Sequence, residues 1–198
     1  MSNVALPVAA ETTSTGVDSR KLGVWTFLGS EVVLFSSLIV TYIVMSGRAA
    51  SGPTPAQALS ISLVAVNTFV LICSSLTMVL ALSSIQKGDQ RRLRLFLLAT
   101  AVLGLMFLSG QAFEFATLYK QGVTLKSSLF GASFFTLTGF HGGHVTIGVI
   151  AIAFVLVRAL RGGVTQSNHL AVELVGLYWH FVDIVWIVIF TVVYLIGT

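Results

Sequence analysis

Five long apolar stretches, at about 22–46, 57–85, 93–119, 129–160 and 170–197, decide most of what this chain can become. A helix crossing the hydrocarbon core of a bilayer needs about 20 predominantly apolar residues, and each stretch supplies at least that many. In lipid, every backbone N–H and C=O must be satisfied within the protein, so only helices or closed barrels can cross. A barrel strand is about 10 residues with alternating polarity, and these runs are too long and too uniformly apolar for that. The sequence therefore predicts an all-α, polytopic bundle of five transmembrane helices. All three prolines (Pro7, Pro53, Pro55) fall outside the runs, so no proline kink is expected.

Charge agrees with this reading. Only 9% of the 198 residues are charged, against about 25% in soluble domains, too few to clothe a water-facing surface. A soluble enzyme, a disordered chain and a nucleic-acid binder are excluded. Residues 1–20 read as a flexible tail and 21–198 as the membrane domain, with nothing of soluble-domain size between the runs. Cys73, the lone cysteine, lies inside an apolar run, where it packs as a small hydrophobe.

Lysine and arginine are unevenly shared between the two sides. The tail, second loop and fourth loop hold Arg20, Lys21, Lys87, Arg91, Arg92, Arg94, Arg158 and Arg161; the other side holds Arg48, Lys120 and Lys126. Eight against three predicts a cytoplasmic amino terminus and an external carboxyl terminus. The basic second loop is read as a topology and lipid-headgroup signal.

Ionisable side chains inside the runs carry the remaining information, because each costs about 2.5–3.5 kcal/mol at a helix centre on insertion scales. They are Glu31, Glu114, His141, His144, Glu173, His180 and Asp183. In the fifth run Glu173, His180 and Asp183 fall on one helical face. In the fourth, His141 and His144 share a face and lie at similar depth to His180 and Asp183. Gly139 and Gly143 are expected to let the fourth and fifth helices approach closely. Together these residues predict a polar cluster of His141, His144, His180, Asp183 and Glu173, with histidines donating to Asp183 and Thr138 nearby.

Two readings of that cluster stand side by side. Histidines at i and i+3 with facing ligands suit a metal or haem. Alternatively, the same groups lock helices through buried hydrogen bonds, which is the usual fate of buried polar groups. The Glu-x-x-His pairs of di-metal carboxylate bundles are missing, which favours the second. Glu31 is a proton-relay carboxyl group, an acid hydrogen-bonded to a neighbouring helix, or a lipid-headgroup contact. Glu114, one turn after Gln111, is expected to be a hydrogen-bonding group toward the outer end of the third helix. An independent membrane redox protein using the histidines is one functional alternative. A small proton-coupled transporter is another, although broken helices and inverted repeats are not apparent.

Several motifs carry a resemblance. Gly-Phe-His-Gly-Gly-His (139–144), Ser-Asn-His (167–169) and Tyr-Trp-His-Phe-Val-Asp-Ile-Val-Trp (178–186) resemble subunit III of the haem–copper terminal oxidases. Ser-Glu-Val (30–32) and Gln-Ala-Phe-Glu-Phe (111–115) are similar to that family's signatures on earlier helices. The resemblance runs from about Lys21 to Gly197. It implies an accessory, non-catalytic chain without metal or haem of its own, the haem and copper being held by oxidase subunits I and II. It further implies that the chain binds phospholipid and supports proton uptake during oxygen reduction in a bacterial cytoplasmic membrane, cytochrome c or quinol being the indirect electron donor. Glu31 matches the family's intramembrane carboxyl group, and Arg158 falls where a basic residue meets a lipid headgroup. His141, His144, His180 and Asp183 match structural positions. Many members have seven spans; a five-span chain resembles the bacterial forms that lack the first two. The motifs look more like cytochrome c oxidases than quinol oxidases, with relatives that accompany nitric oxide reductases as a further branch.

Overall fold

A computed structural model of the chain describes Gly16, residues 18–46 and residues 61–196. Five helices long and apolar enough to cross a membrane account for almost all of it. They are α1 (Ser19–Ser46), α2 (Ile61–Gln86), α3 (Gln90–Lys120), α4 (Leu129–Leu160) and α5 (Leu170–Phe190), the last continued by a π-helical turn, Thr191–Ile196. Among the described residues there is no strand; Thr165 and Asn168 form an isolated bridge in the α4–α5 loop. The tail expected over 1–20 lies almost wholly outside the described residues, as do 57–60 of the expected second span.

Local chemistry sets the helix ends. Asp89 accepts a hydrogen bond from the Arg92 N–H at 3.0 Å and caps α3; Ser128 accepts from the Gly131 N–H at 3.0 Å and caps α4. The α2–α3 and α4–α5 loops turn at Gly88 (φ 79°) and Gly162 (φ 75°), two residues past the helix ends. That left-handed conformation lets the next N–H turn back onto the helix, Asp89 to Ser84 and Gly163 to Arg158, each at 2.9 Å. The loops are short, so consecutive helices from α2 to α5 run antiparallel. A clasp ties two of the loops: Gln166 Nε2 donates to the Gln86 carbonyl at 2.7 Å, and Gln90 Nε2 to the Val164 carbonyl at 2.9 Å.

Around the bundle, α3 lies between α2 and α4, while α5 packs on α1, α2 and α4. The core is built on the α5 aromatics. Trp179 is fully buried and sits against Gly104 of α3 and Gly148 of α4, where added methyl carbons would lie 2.7 Å from its ring. Trp186 packs edge-on against Phe107 at 4.8 Å. Outside, the bundle is apolar: Val33, Val66, Phe69, Ile150, Phe154 and Ile184 are each more than 60% exposed, as residues facing lipid would be.

The expected role of Gly139 and Gly143 requires correction. A methyl group added to either would meet no atom within 4 Å, and both face away from α5. Each is two residues from His141, about 200° around the helix from the buried face. The close approaches on α4 are made instead at Gly142, against Gln111, and at Gly148.

Candidate functional site

Each ionisable side chain in the spans leaves its helix on a face set by the 100° step, and that step decides its partner. His144 lies about 60° round α4 from His141, enough to turn it toward α1. Its Nε2 stands 3.0 Å from Glu31 Oε2, with both side chains mostly buried. Its Nδ1 is 2.7 Å from the Phe140 carbonyl, an acceptor that requires a proton on that nitrogen. The remaining proton is shared between Nε2 and the Glu31 carboxyl group, so the pair is an ion pair or its neutral equivalent. Tyr178 donates to the His144 carbonyl at 3.0 Å, and the Phe35 ring lies edge-on at 4.9 Å. Three helices, α1, α4 and α5, thus meet at His144.

His141 points into the centre. It is fully buried beside Trp186 (ring centroids 4.7 Å apart) and Phe107 (5.8 Å), and its Nε2 is 3.3 Å from the Val182 carbonyl of α5. The carbonyl can only accept, so Nε2–H donates; Nδ1 has no hydrogen-bond partner. His180 turns to α2, where its Nδ1 lies 2.7 Å from Ser75 Oγ. Along the same α2–α5 seam, Trp179 Nε1 donates to Ser74 Oγ and Trp186 Nε1 to Thr68 Oγ1, both at 2.9 Å. Glu173, nearer one end, forms an ion pair with Lys21 of α1 at 2.6 Å.

The expected hydrogen bonds from histidine to Asp183 are not formed. Asp183 is 4% exposed, and its carboxylate oxygens have no hydrogen-bond partner. All three histidines are spent elsewhere: His141 on a backbone carbonyl, His144 on Glu31, His180 on Ser75. Thr138 also differs from expectation, its hydroxyl bonding back to the Phe134 carbonyl while its own carbonyl accepts from Gln111 Nε2 at 2.7 Å. The structure therefore distributes the predicted cluster over several helix seams. Among the described residues, no three His, Cys, Asp or Glu side chains converge as metal ligands would.

Glu114 is 7% exposed, and both its oxygens accept from the Tyr194 hydroxyl at 3.0 Å. The π-helical turn carries Tyr194 inward to this position. At the opposite end of the bundle, Arg158 and Arg20 line a polar crevice with Asn168 and Leu174. Leu174 also belongs to an apolar groove between α1, α4 and α5, lined by Val24, Phe27, Ile147 and Tyr178 and reaching His144.

The sequence profile of the family described as cytochrome c oxidase subunit III matches residues 8–198. The chain belongs to that family. It is 38% identical over 195 residues to cytochrome c oxidase subunit 3 of Alkalihalophilus pseudofirmus, covering 97% of this chain and 94% of the relative. It is 39% identical over 176 residues to quinol oxidase subunit 3 of Bacillus subtilis, covering 89% and 86%. Cytochrome c oxidase subunit 3 of a Bacillus species is 37% identical over 192 residues, covering 96% and 93%. Both donor classes of haem–copper oxidase are thus represented among its relatives. Membership makes this chain a multi-pass membrane component of a respiratory oxidase complex.

Sequence reasoning missed several partners in the subunit III bundle. Ser75, Ser74 and Thr68 are hydroxyls inside an apolar run, where they pass for inert small residues. Their positions on one side of α2 were the available signal. Tyr194 and Lys21 sit at run ends, where aromatic and basic residues are ordinarily read as interface anchors.

Proposed function

We propose that this chain is the accessory, non-catalytic subunit III of a bacterial aerobic oxidase, in a cytoplasmic membrane beside subunits I and II. Those subunits hold the haem and copper, and oxygen reduction with proton pumping belongs to the whole complex. Its own contribution is a rigid packing unit. The observation that carries this reading is the use made of the polar groups: Glu31, His144, His180, Glu173, Glu114 and His141 each tie one helix to another. Side chains consumed in this way are poorly placed to ligate or relay. The eight-to-three asymmetry of Lys and Arg supports a cytoplasmic amino terminus and an external carboxyl terminus.

Phospholipid is the small partner that best suits the surface. Arg20 and Arg158 offer a pair of cations to a headgroup phosphate, and the adjoining groove leads apolar surface toward the Glu31–His144 pair. Cytochrome c is the donor class we place first, on the resemblance of the 178–186 motif. The 39% identity to a quinol oxidase subunit supports quinol as the second reading.

Purification under mild detergent tests the whole reading. Subunits I and II, with their haems, should accompany the chain, and Arg158→Gln should lower the anionic phospholipid retained. Recovery of the chain without oxidase subunits, or with stoichiometric haem or metal of its own, would overturn it. Turnover of the purified complex with reduced cytochrome c against a quinol decides the donor.

A further inference from the structure

We propose that the outer face of the α2–α3 pair is where a transmembrane helix of another oxidase subunit docks, offering a hydroxyl or carboxamide side chain to Asn67. The inference rests on the chain being part of an oxidase complex. A groove of about 400 Å³ runs along this face, and all of its lining comes from α2 and α3. Leu63, Val70, Met106 and Phe113 supply apolar walls, with Met106 50% and Phe113 62% exposed. Asn67 and Gly110 lie between them.

Asn67 is the group that this setting leaves incomplete. Its Nδ2 donates to the Phe107 carbonyl at 3.0 Å, which fixes the amide's orientation and leaves Oδ1 with no hydrogen-bond partner among the described residues. A methyl carbon on Gly110 would stand 2.7 Å from both amide atoms, so the amide lies flat across that glycine. Ser109, the nearest hydroxyl lining the groove, has its hydrogen committed to the Met106 carbonyl at 2.7 Å. Gln111, by contrast, turns inward and donates to the Thr138 carbonyl inside the bundle.

An amide oxygen without a donor is costly in hydrocarbon, and an acyl chain has no donor to give. Side chains of Ser, Thr, Asn and Gln supply one across helix contacts, and a glycine at the contact lets the second backbone come close. One Nδ2 hydrogen of Asn67 also remains, so a group that both donates and accepts completes the amide. A hydroxyl or carboxamide on an otherwise apolar helix has that chemistry.

Photocrosslinking in native membranes, with p-benzoylphenylalanine in place of Met106, tests the face. The expected result is a covalent adduct with another oxidase subunit, identified by mass spectrometry. Adducts with lipid alone, or with a second copy of this chain, would overturn the proposal. A density map of the unaltered complex decides the matter even if the variant does not assemble. It should show a donor atom of another subunit within hydrogen-bond distance of Asn67 Oδ1; an acyl chain or water in that place would overturn the proposal. If subunits I and II accompany the chain but leave the groove uncovered, this inference fails alone. If no other subunit accompanies it, the functional reading fails as well.

Discussion

The indole of Trp179 lies where a side chain on Gly148 would have to go, its Cε3 being 2.7 Å from the position a methyl carbon would take there. The same ring closes on Gly104 of α3, and its N–H reaches Ser74 of α2 at 2.9 Å. One side chain therefore joins α5 to three other helices, by shape on two sides and by a hydrogen bond on the third. In lipid, where apolar burial gives little net drive between helices, such close packing and interhelical bonding are the main cohesive terms.

Gly148→Ala should accordingly overpack the centre, at a cost of about 1–3 kcal/mol. Gly143→Ala, with open space around the same atom, is the matched comparison and should cost nothing measurable. Thermal unfolding of the detergent-solubilised complex, followed as loss of this subunit, should show a lower midpoint for the first variant only. Equal midpoints would refute the packing role of Gly148.

Tyr194→Phe removes the donor that both oxygens of Glu114 share and leaves a buried acid unpartnered. The expected penalty is about 1–3 kcal/mol, and adding Glu114→Leu should recover part of it, because no orphan then remains. The check is subunit retention across a detergent series for the single and double variants.

Glu31 and His144 should be energetically coupled. Their atoms are 3.0 Å apart and mostly shielded, so Glu31→Ala and His144→Ala together should cost less than the sum of the two alone. The expected coupling is about 0.5–3 kcal/mol by double-mutant cycle. Strict additivity would show that the contact carries no energy.

Lys21–Glu173 makes the opposite prediction. At 33% and 28% side-chain exposure, near a helix end, this pair resembles a surface ion pair despite its 2.6 Å length. Lys21→Ala should change stability by no more than about 1 kcal/mol, and the small effect should fade in high salt. A loss as large as that of Tyr194→Phe would mean the site is drier than its exposure implies.

Asp183 shows how a plausible sequence inference fails. Its spacing from His180 and its depth relative to His141 and His144 make a histidine–aspartate cluster reasonable on paper. Yet a rotation of about 60° between i and i+3 neighbours is enough to send His144 to α1 while His141 faces α5. Asp183→Leu therefore strands no histidine. Glycine told a parallel story: the Gly139–Gly143 pair, the obvious small-residue motif, faces outward, while the isolated Gly104 and Gly148 receive Trp179.

What the sequence determined unaided was the number of spans, their helical form and the family, together with the short roster of ionisable groups that lipid would have to tolerate. These follow from properties summed along the chain, since hydropathy and backbone satisfaction are local and require no knowledge of neighbours. Only the tertiary structure decided which group meets which: Glu31 with His144, His180 with Ser75, Glu114 with Tyr194. Pairing depends on how each helix is rotated and on what faces it across a seam. That choice is made by packing between helices distant in sequence, a few ångströms at a time, and no periodicity within one helix records it.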